Sequence, residues 1–221
     1  MKNYITEFIG TFFLVLSIGL TATNPVMAPI AIGAMLMVMV YMGGHISGAH
    51  YNPAVSIAMI FRGILTTKEA VKYILSQLAG AFLAAVFVQW VQGSCMQITP
   101  QGSSATVMQI LAVESIFTFA LVLVILNVAT NPKTEGNSYY GLAIGFTVMA
   151  AAYAGGQISG GAYNPAVGAG PMLFEALYVE WENIWAGALI EWNSLSTLWH
   201  YLVGPIVGAV LATYVYKLTT D

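Results

Sequence analysis

Six stretches of this chain are apolar and long enough to cross a bilayer, and the segments joining them are short. A helix needs about 20 residues to span a hydrocarbon core of ~30 Å. The stretches run from about Thr6 to Ala22, Pro29 to Gly43, Glu69 to Val91, Val107 to Ala129, Tyr139 to Gly155 and Thr197 to Lys217. Composition supports the reading. Hydrophobic residues make up 58 % of the chain and charged residues 7 %, where a soluble domain carries about 25 % charged. Such a chain cannot clothe itself in polar surface, which excludes a soluble enzyme and a disordered protein. Six basic residues against nine acidic ones leave no basic stripe for nucleic acid. An integral, multi-pass membrane protein remains. Cys95 is the only cysteine, so no intrachain disulfide and no cysteine-based metal cluster can form.

Charge placement gives the orientation. Lys2, Arg62, Lys68, Lys72, Lys133 and Lys217 all fall on one side of a six-span layout. The positive-inside rule makes that side cytoplasmic, with both termini there. The opposite connections, about 92–106 and 175–196, hold no Lys or Arg, and the second carries Glu175, Glu180, Glu182 and Glu191. Lys2 ahead of an apolar run also fits a signal peptide. Removing that run would break the repeat described next, so it is read as an uncleaved first span in a cell (inner) membrane.

The string Ser47-Gly-Ala-His-Tyr-Asn-Pro-Ala-Val55 recurs as Ser159-Gly-Gly-Ala-Tyr-Asn-Pro-Ala-Val167, 112 residues on. Glu7-x-x-x-Thr11 recurs as Glu114-x-x-x-Thr118, 107 residues on. Gln77-Leu-Ala-Gly-Ala81 echoes Pro205-Ile-Val-Gly-Ala209, 128 residues on. A single transmembrane domain thus divides into halves of about 1–100 and 103–221. Two short apolar pieces, Asn52–Phe61 and Asn164–Phe174, begin with Asn-Pro. Asn is a good N-cap and Pro suits the first helical position, so each reads as a half-helix. Three spans and one half-helix per repeat force the halves to be inverted. Inverted repeats with broken helices are a transport architecture whose site lies near the midplane.

Backbone that is not helical inside a membrane must line a water-filled path or be buried in protein. The glycine-rich stretches before Asn52 and Asn164 offer carbonyls to such a path, and the two Asn side chains offer amide donors. Two half-helix N-termini, each roughly half a positive charge, would oppose a cation or a hopping proton at the midplane. A neutral molecule that accepts hydrogen bonds could pass.

These motifs resemble the aquaporin, or major intrinsic protein, family over nearly the whole chain. Both Asn-Pro-Ala motifs, both Glu-x-x-x-Thr motifs, Gly44-His45-Ile46-Ser47-Gly48-Ala49-His50 and Gly204-Pro205 carry the resemblance. It implies an all-α membrane protein with six transmembrane helices and two re-entrant half-helices meeting at Asn52 and Asn164, the central constriction. It also implies a homotetramer with one pore per subunit. Gly48, Ala49, His50, Gly160, Gly161 and Ala162 would form a carbonyl ladder, and Glu7 and Glu114 would anchor the re-entrant loops. The family's outer selectivity constriction maps onto Ile32, Ala152, Gly161 and Val167. Water channels of the family tend to have aromatic, His and Arg residues there, and here Val167 stands where Arg is usual. The Asn-Pro-Ala-Val string is closest to tonoplast-type and aquaglyceroporin-like members, although the constriction His of the former is missing.

The implied function is a passive channel for water and small neutral solutes, with glycerol, urea, ammonia and hydrogen peroxide as candidates. No enzyme activity, cofactor or metal is expected, and the partners are the solutes, the lipid bilayer and further copies of the chain. A proton-coupled transporter using Glu7 and Glu114 is one alternative, because membrane carboxylates are functional candidates. A strict water channel capped by the 175–196 segment is another, and a closed junctional protein a third. His45 and His50 lack a third ligand for a metal. Ser47 lacks the base and orienting partner of a hydrolase. The Met residues suit adaptable packing, and Trp181, Trp185, Trp192 and Trp199 suit an interfacial belt.

Overall fold

The computed structural model describes residues 1–100, 105–186 and 195–220, with 180–186 described by backbone alone. Eight α-helices follow in order among them: α1 Lys2–Thr21, α2 Ala28–Ser47, α3 Pro53–Arg62, α4 Thr67–Gln92, α5 Val107–Ala129, α6 Tyr140–Ser159, α7 Pro165–Ala186 and α8 Leu198–Thr220. Six of these, all but α3 and α7, are long and apolar enough to cross a membrane. Large apolar side chains such as Phe13, Leu75, Ile116, Phe146 and Leu211 face outward, as a helix bundle in lipid requires.

Local chemistry sets the helix limits. Thr66 caps α4 by accepting from the Glu69 N–H, and Thr106 and Gln109 form a capping box at α5. α2 and α6 run further than hydropathy suggests and stop at Gly48 and Gly160, whose φ values of 87° and 96° lie in the left-handed region that favours glycine. Asn52 and Asn164 cap the re-entrant helices through Ala54 N–H and Ala166 N–H, both at 2.9 Å.

The largest departure from the sequence reading is α7. Hydropathy ends the second half-helix at Phe174 and makes 175–196 a loop, yet the helix continues to Ala186. Its 22 residues correspond to about 33 Å at 1.5 Å per residue. The polar onset at Glu175 marks where the apolar environment ends. The helix has no such reason to stop, because good helix formers follow and the first glycine is Gly187. Residues 187–194 of the expected cap, including Glu191 and Trp192, lie outside the described residues.

The closest helix pairings are α5 with α8, α1 with α4, and α2 with α6. Glycines permit each one. A Cβ at Gly80 would lie 2.4 Å from the Phe8 carbonyl oxygen, and one at Gly208 would lie 2.2 Å from the Ser115 carbonyl oxygen. Gly33 and Gly145 pack on each other's carbonyls across α2 and α6. Small residues that let backbones approach drive association where no hydrophobic effect separates helix from lipid.

Candidate functional site

Two sharp turns bring the chain back into the bundle, and a buried carboxylate gathers each one. Glu7 is fully buried and accepts four hydrogen bonds. Ser47 Oγ donates at 2.6 Å, His50 N–H at 3.0 Å, Tyr51 N–H at 2.7 Å and Gln77 Nε2 at 2.8 Å. Glu114, also fully buried, takes three: Ser159 Oγ at 2.7 Å, Ala162 N–H at 3.1 Å and Tyr163 N–H at 2.6 Å. These bonds offset a strained backbone. Ala49, Tyr51 and Tyr163 hold φ values of 50°, 49° and 48°, which cost about 1–2 kcal/mol each for a residue with a side chain. A carboxylate beside backbone N–H groups that turn away from any helix satisfies donors that lipid could not.

Tyrosines complete the two frames. Tyr51 and Tyr163 donate their hydroxyls to Met39 O and Ala151 O, each at 2.9 Å. Tyr73 donates to Ser47 O at 2.8 Å, and Tyr201 to Ser159 O at 2.6 Å. The Tyr51 ring occupies the space that a Cβ would fill at Gly10.

The half-helices meet at their N-termini. Asn52 Nδ2 donates to Tyr163 O at 3.0 Å, and Asn164 Nδ2 donates to Tyr51 O at 2.8 Å. Each amide has two N–H bonds, so one remains for a molecule in the cavity that both residues line. That central cavity has a volume of about 40 Å³, room for about three waters at ~10–15 Å³ each. Its side-chain wall is aliphatic, with Leu14, Leu36, Val55, Leu121 and Val148 among its members. A vestibule of about 800 Å³ adjoins it on the side of the α5–α6 connection, and one of about 150 Å³ on the side of the α4–α5 connection.

The structure brings the sequence-predicted residues to this cavity. Asn52, Asn164, Ile32, Ala152, Gly161 and Val167 all line it. Of the expected carbonyl ladder, Ala49, His50, Gly161 and Ala162 border it too, while Gly48 borders the larger vestibule and Gly160 the smaller one. Glu7 and Glu114 border none of the three spaces. His45 faces the larger vestibule, and His50 Nδ1 lies 3.1 Å from Ser56 Oγ. Cys95 sits half-buried in the α4–α5 connection.

Sequence reasoning missed several contributors. Gln77 and Ser56 extend the Glu7 network, with Gln77 Nε2 donating to Ser56 Oγ at 3.0 Å. The echo of Gln77 as Pro205 was the available signal. Ile18 lines the central cavity from α1. Gln97 and Ile98 wall the smaller vestibule, so the α4–α5 connection reaches the mouth. Gln97 also hydrogen-bonds Glu175.

Residues 1–216 match the family described as major intrinsic protein. The chain belongs to that family. Within it, the chain is 34 % identical to aquaporin NIP1-1 of Zea mays, over 99 % of this chain and 74 % of the relative. It is also 34 % identical to a glycerol uptake facilitator protein-like protein of Lactiplantibacillus plantarum, over 97 % of this chain and 96 % of that one. In fold it is similar to the aquaglyceroporin of Plasmodium falciparum, with a TM-score of 0.79 over 98 % of this chain and 95 % of that chain at 24 % identity. This major intrinsic protein is therefore an all-helical, multi-pass membrane protein.

Proposed function

We propose that this chain is a passive transmembrane channel for water and small neutral solutes, glycerol, urea, ammonia and hydrogen peroxide among them. The observation that carries this reading is the aliphatic central cavity. It lies between two vestibules, and the N-termini of two half-helices meet at its middle. At ~5 Å and an effective dielectric constant of about 20, two half-charges oppose a monovalent cation by about 3 kcal/mol. The loss of hydration in an apolar neck adds to this. A neutral solute meets no charge barrier, loses far less hydration than an ion, and can accept from the free Asn52 and Asn164 N–H bonds.

In this reading Glu7 and Glu114 anchor the loops, because their oxygens are already engaged and neither borders the cavity. That arrangement disfavours a proton-coupled transporter. Ile32, Ala152, Gly161 and Val167 form the outer constriction, without charge, ring or side-chain donor. The basic connections lie in the cytoplasm with both termini, in the cell membrane. Four copies associate, each with its own pore, and no catalysis takes place.

Stopped-flow light scattering on proteoliposomes tests the proposal, with sucrose, glycerol and urea as osmolytes. Flux proportional to gradient and unaffected by a proton gradient is expected. Saturation at millimolar solute with proton coupling would overturn it.

A further inference from the structure

Residues that wall both the central cavity and a vestibule mark the neck between the two spaces. Ile18, Ile32, Ala152 and Gly161 do so towards the smaller vestibule. Val40, Ala49, Ile125 and Ile144 do so towards the larger one. The two sets correspond residue by residue. Ile18 and Ile125 are 107 apart, the spacing of Glu7 and Glu114. Ile32 and Ile144, Val40 and Ala152, and Ala49 and Gly161 are each 112 apart, the spacing of Asn52 and Asn164. The pore thus has two necks of common origin, one at each end of the central cavity.

They are not equal in side-chain bulk. The Ile18–Ile125 and Ile32–Ile144 correspondences are matched in side chain. At the other two positions the neck by the larger vestibule has Val40 for Ala152 and Ala49 for Gly161, bulkier by two side-chain carbons and by one. Burial points the same way. Val40, Ala49, Ile125 and Ile144 are all buried, whereas Ile18, Ile32, Ala152 and Gly161 are all half-exposed.

We propose that Val40, Ala49, Ile125 and Ile144 form the size-selecting filter of this channel, on the side opposite the constriction that the family resemblance points to. This rests on the channel reading above. The large vestibule leads to this neck and does not relax it. Four aliphatic groups offer a solute no side-chain hydrogen bond, so discrimination there is steric and against desolvation, and favours compact neutral molecules.

The test exchanges the two compositions. The double variant Val40→Ala/Ala49→Gly gives the filter the side chains of the other neck, and glycine suits the left-handed φ of 50° at position 49. Ala152→Val makes the reverse change at one position of the other neck. Proteoliposomes report permeability to water, glycerol and erythritol by light scattering. The double variant should raise the erythritol-to-glycerol permeability ratio at least about five-fold, and the glycerol-to-water ratio with it. Ala152→Val should change both ratios less than the double variant does, because the tighter neck still decides. Retained water flux shows that each variant is folded. Unchanged ratios in the double variant, or a larger change in Ala152→Val than in the double variant, would overturn the proposal. If the wild type passes neither water nor any solute above lipid background, the channel reading itself fails.

Discussion

Gly208→Ala adds one methyl group and should nevertheless disable the protein. The added Cβ would lie 2.2 Å from the Ser115 carbonyl oxygen and 2.9 Å from the Phe119 nitrogen. Both are backbone atoms of α5, so no side-chain rotation can relieve the clash. A carbon resting on a carbonyl oxygen sits at about 3.3 Å or more, so α8 must withdraw by about 1 Å. The same interface holds the Ser115 Oγ donation to Gly204 O at 2.9 Å, which that displacement would break. Overpacking costs about 1–3 kcal/mol and the lost bond about 0.5–1.5 kcal/mol, giving a total of about 2–4 kcal/mol. α8 also carries Tyr201, which holds Ser159 O, so the site moves with the helix. Gly156→Ala is the control. It lies within α6 and a Cβ there would have no contact within 4 Å, so the helix-propensity gain of up to about 1 kcal/mol is unopposed. Heating in detergent with fluorescence-detected size exclusion would compare the two. Gly208→Ala should lower the apparent Tm by several degrees and reduce water flux, while Gly156→Ala should match or exceed the wild type. A Gly208→Ala protein as stable as wild type would refute the close-packing argument.

Other outcomes follow from the site. Glu7→Ala strands four buried donors at about 1–3 kcal/mol each, so folded yield should collapse; a monodisperse, conducting Glu7→Ala protein would contradict the anchoring role. Tyr201→Phe leaves Ser159 O unpaired and should lower stability by about 1–2 kcal/mol, visible as a smaller Tm shift than Glu7→Ala gives. Val167→Arg places a cation against the central cavity and should cut glycerol flux more than water flux; equal loss of both would indicate plain occlusion. Mercurials should inhibit weakly, since Cys95 borders none of the three spaces along the pore. Strong block abolished in Cys95→Ser would refute that placement.

The sequence carried more of the scaffold than of the lumen, for a physical reason. Spans are legible because lipid demands about twenty apolar residues in each. The half-helix starts at Pro53 and Pro165 are legible because Asn caps and Pro leads. The continuation of α7 beyond Phe174 was not legible from hydropathy, since that pattern reports solvent and not backbone. The membership of Ile18, Gln97 and Ile98 in the pore wall was hidden as well. Ile18 looks like any lipid-facing aliphatic of α1, and only the packing of α1 against its neighbours turns it inward.

The two halves agree in the groups that hold the turns and differ in what stands behind them. Glu7 and Glu114, Ser47 and Ser159, Tyr51 and Tyr163, and Asn52 and Asn164 make matching hydrogen bonds. Any change at these positions strands a buried donor or acceptor in both the open and the filled pore. The second tier is different. His50, Ser56 and Gln77 form a chain of polar contacts behind the first turn, and Ala162, Gly168 and Pro205 occupy the corresponding positions in the second half. Gly168 leaves room there for Tyr201, whose Cβ would lie 2.5 Å from a Cβ at that glycine. Behind the two carboxylate anchors, the first turn is therefore backed by further polar contacts and the second by close packing around a tyrosine. Substitutions behind the second turn should therefore act through helix displacement, and those behind the first through the local orientation of His50 at the cavity wall.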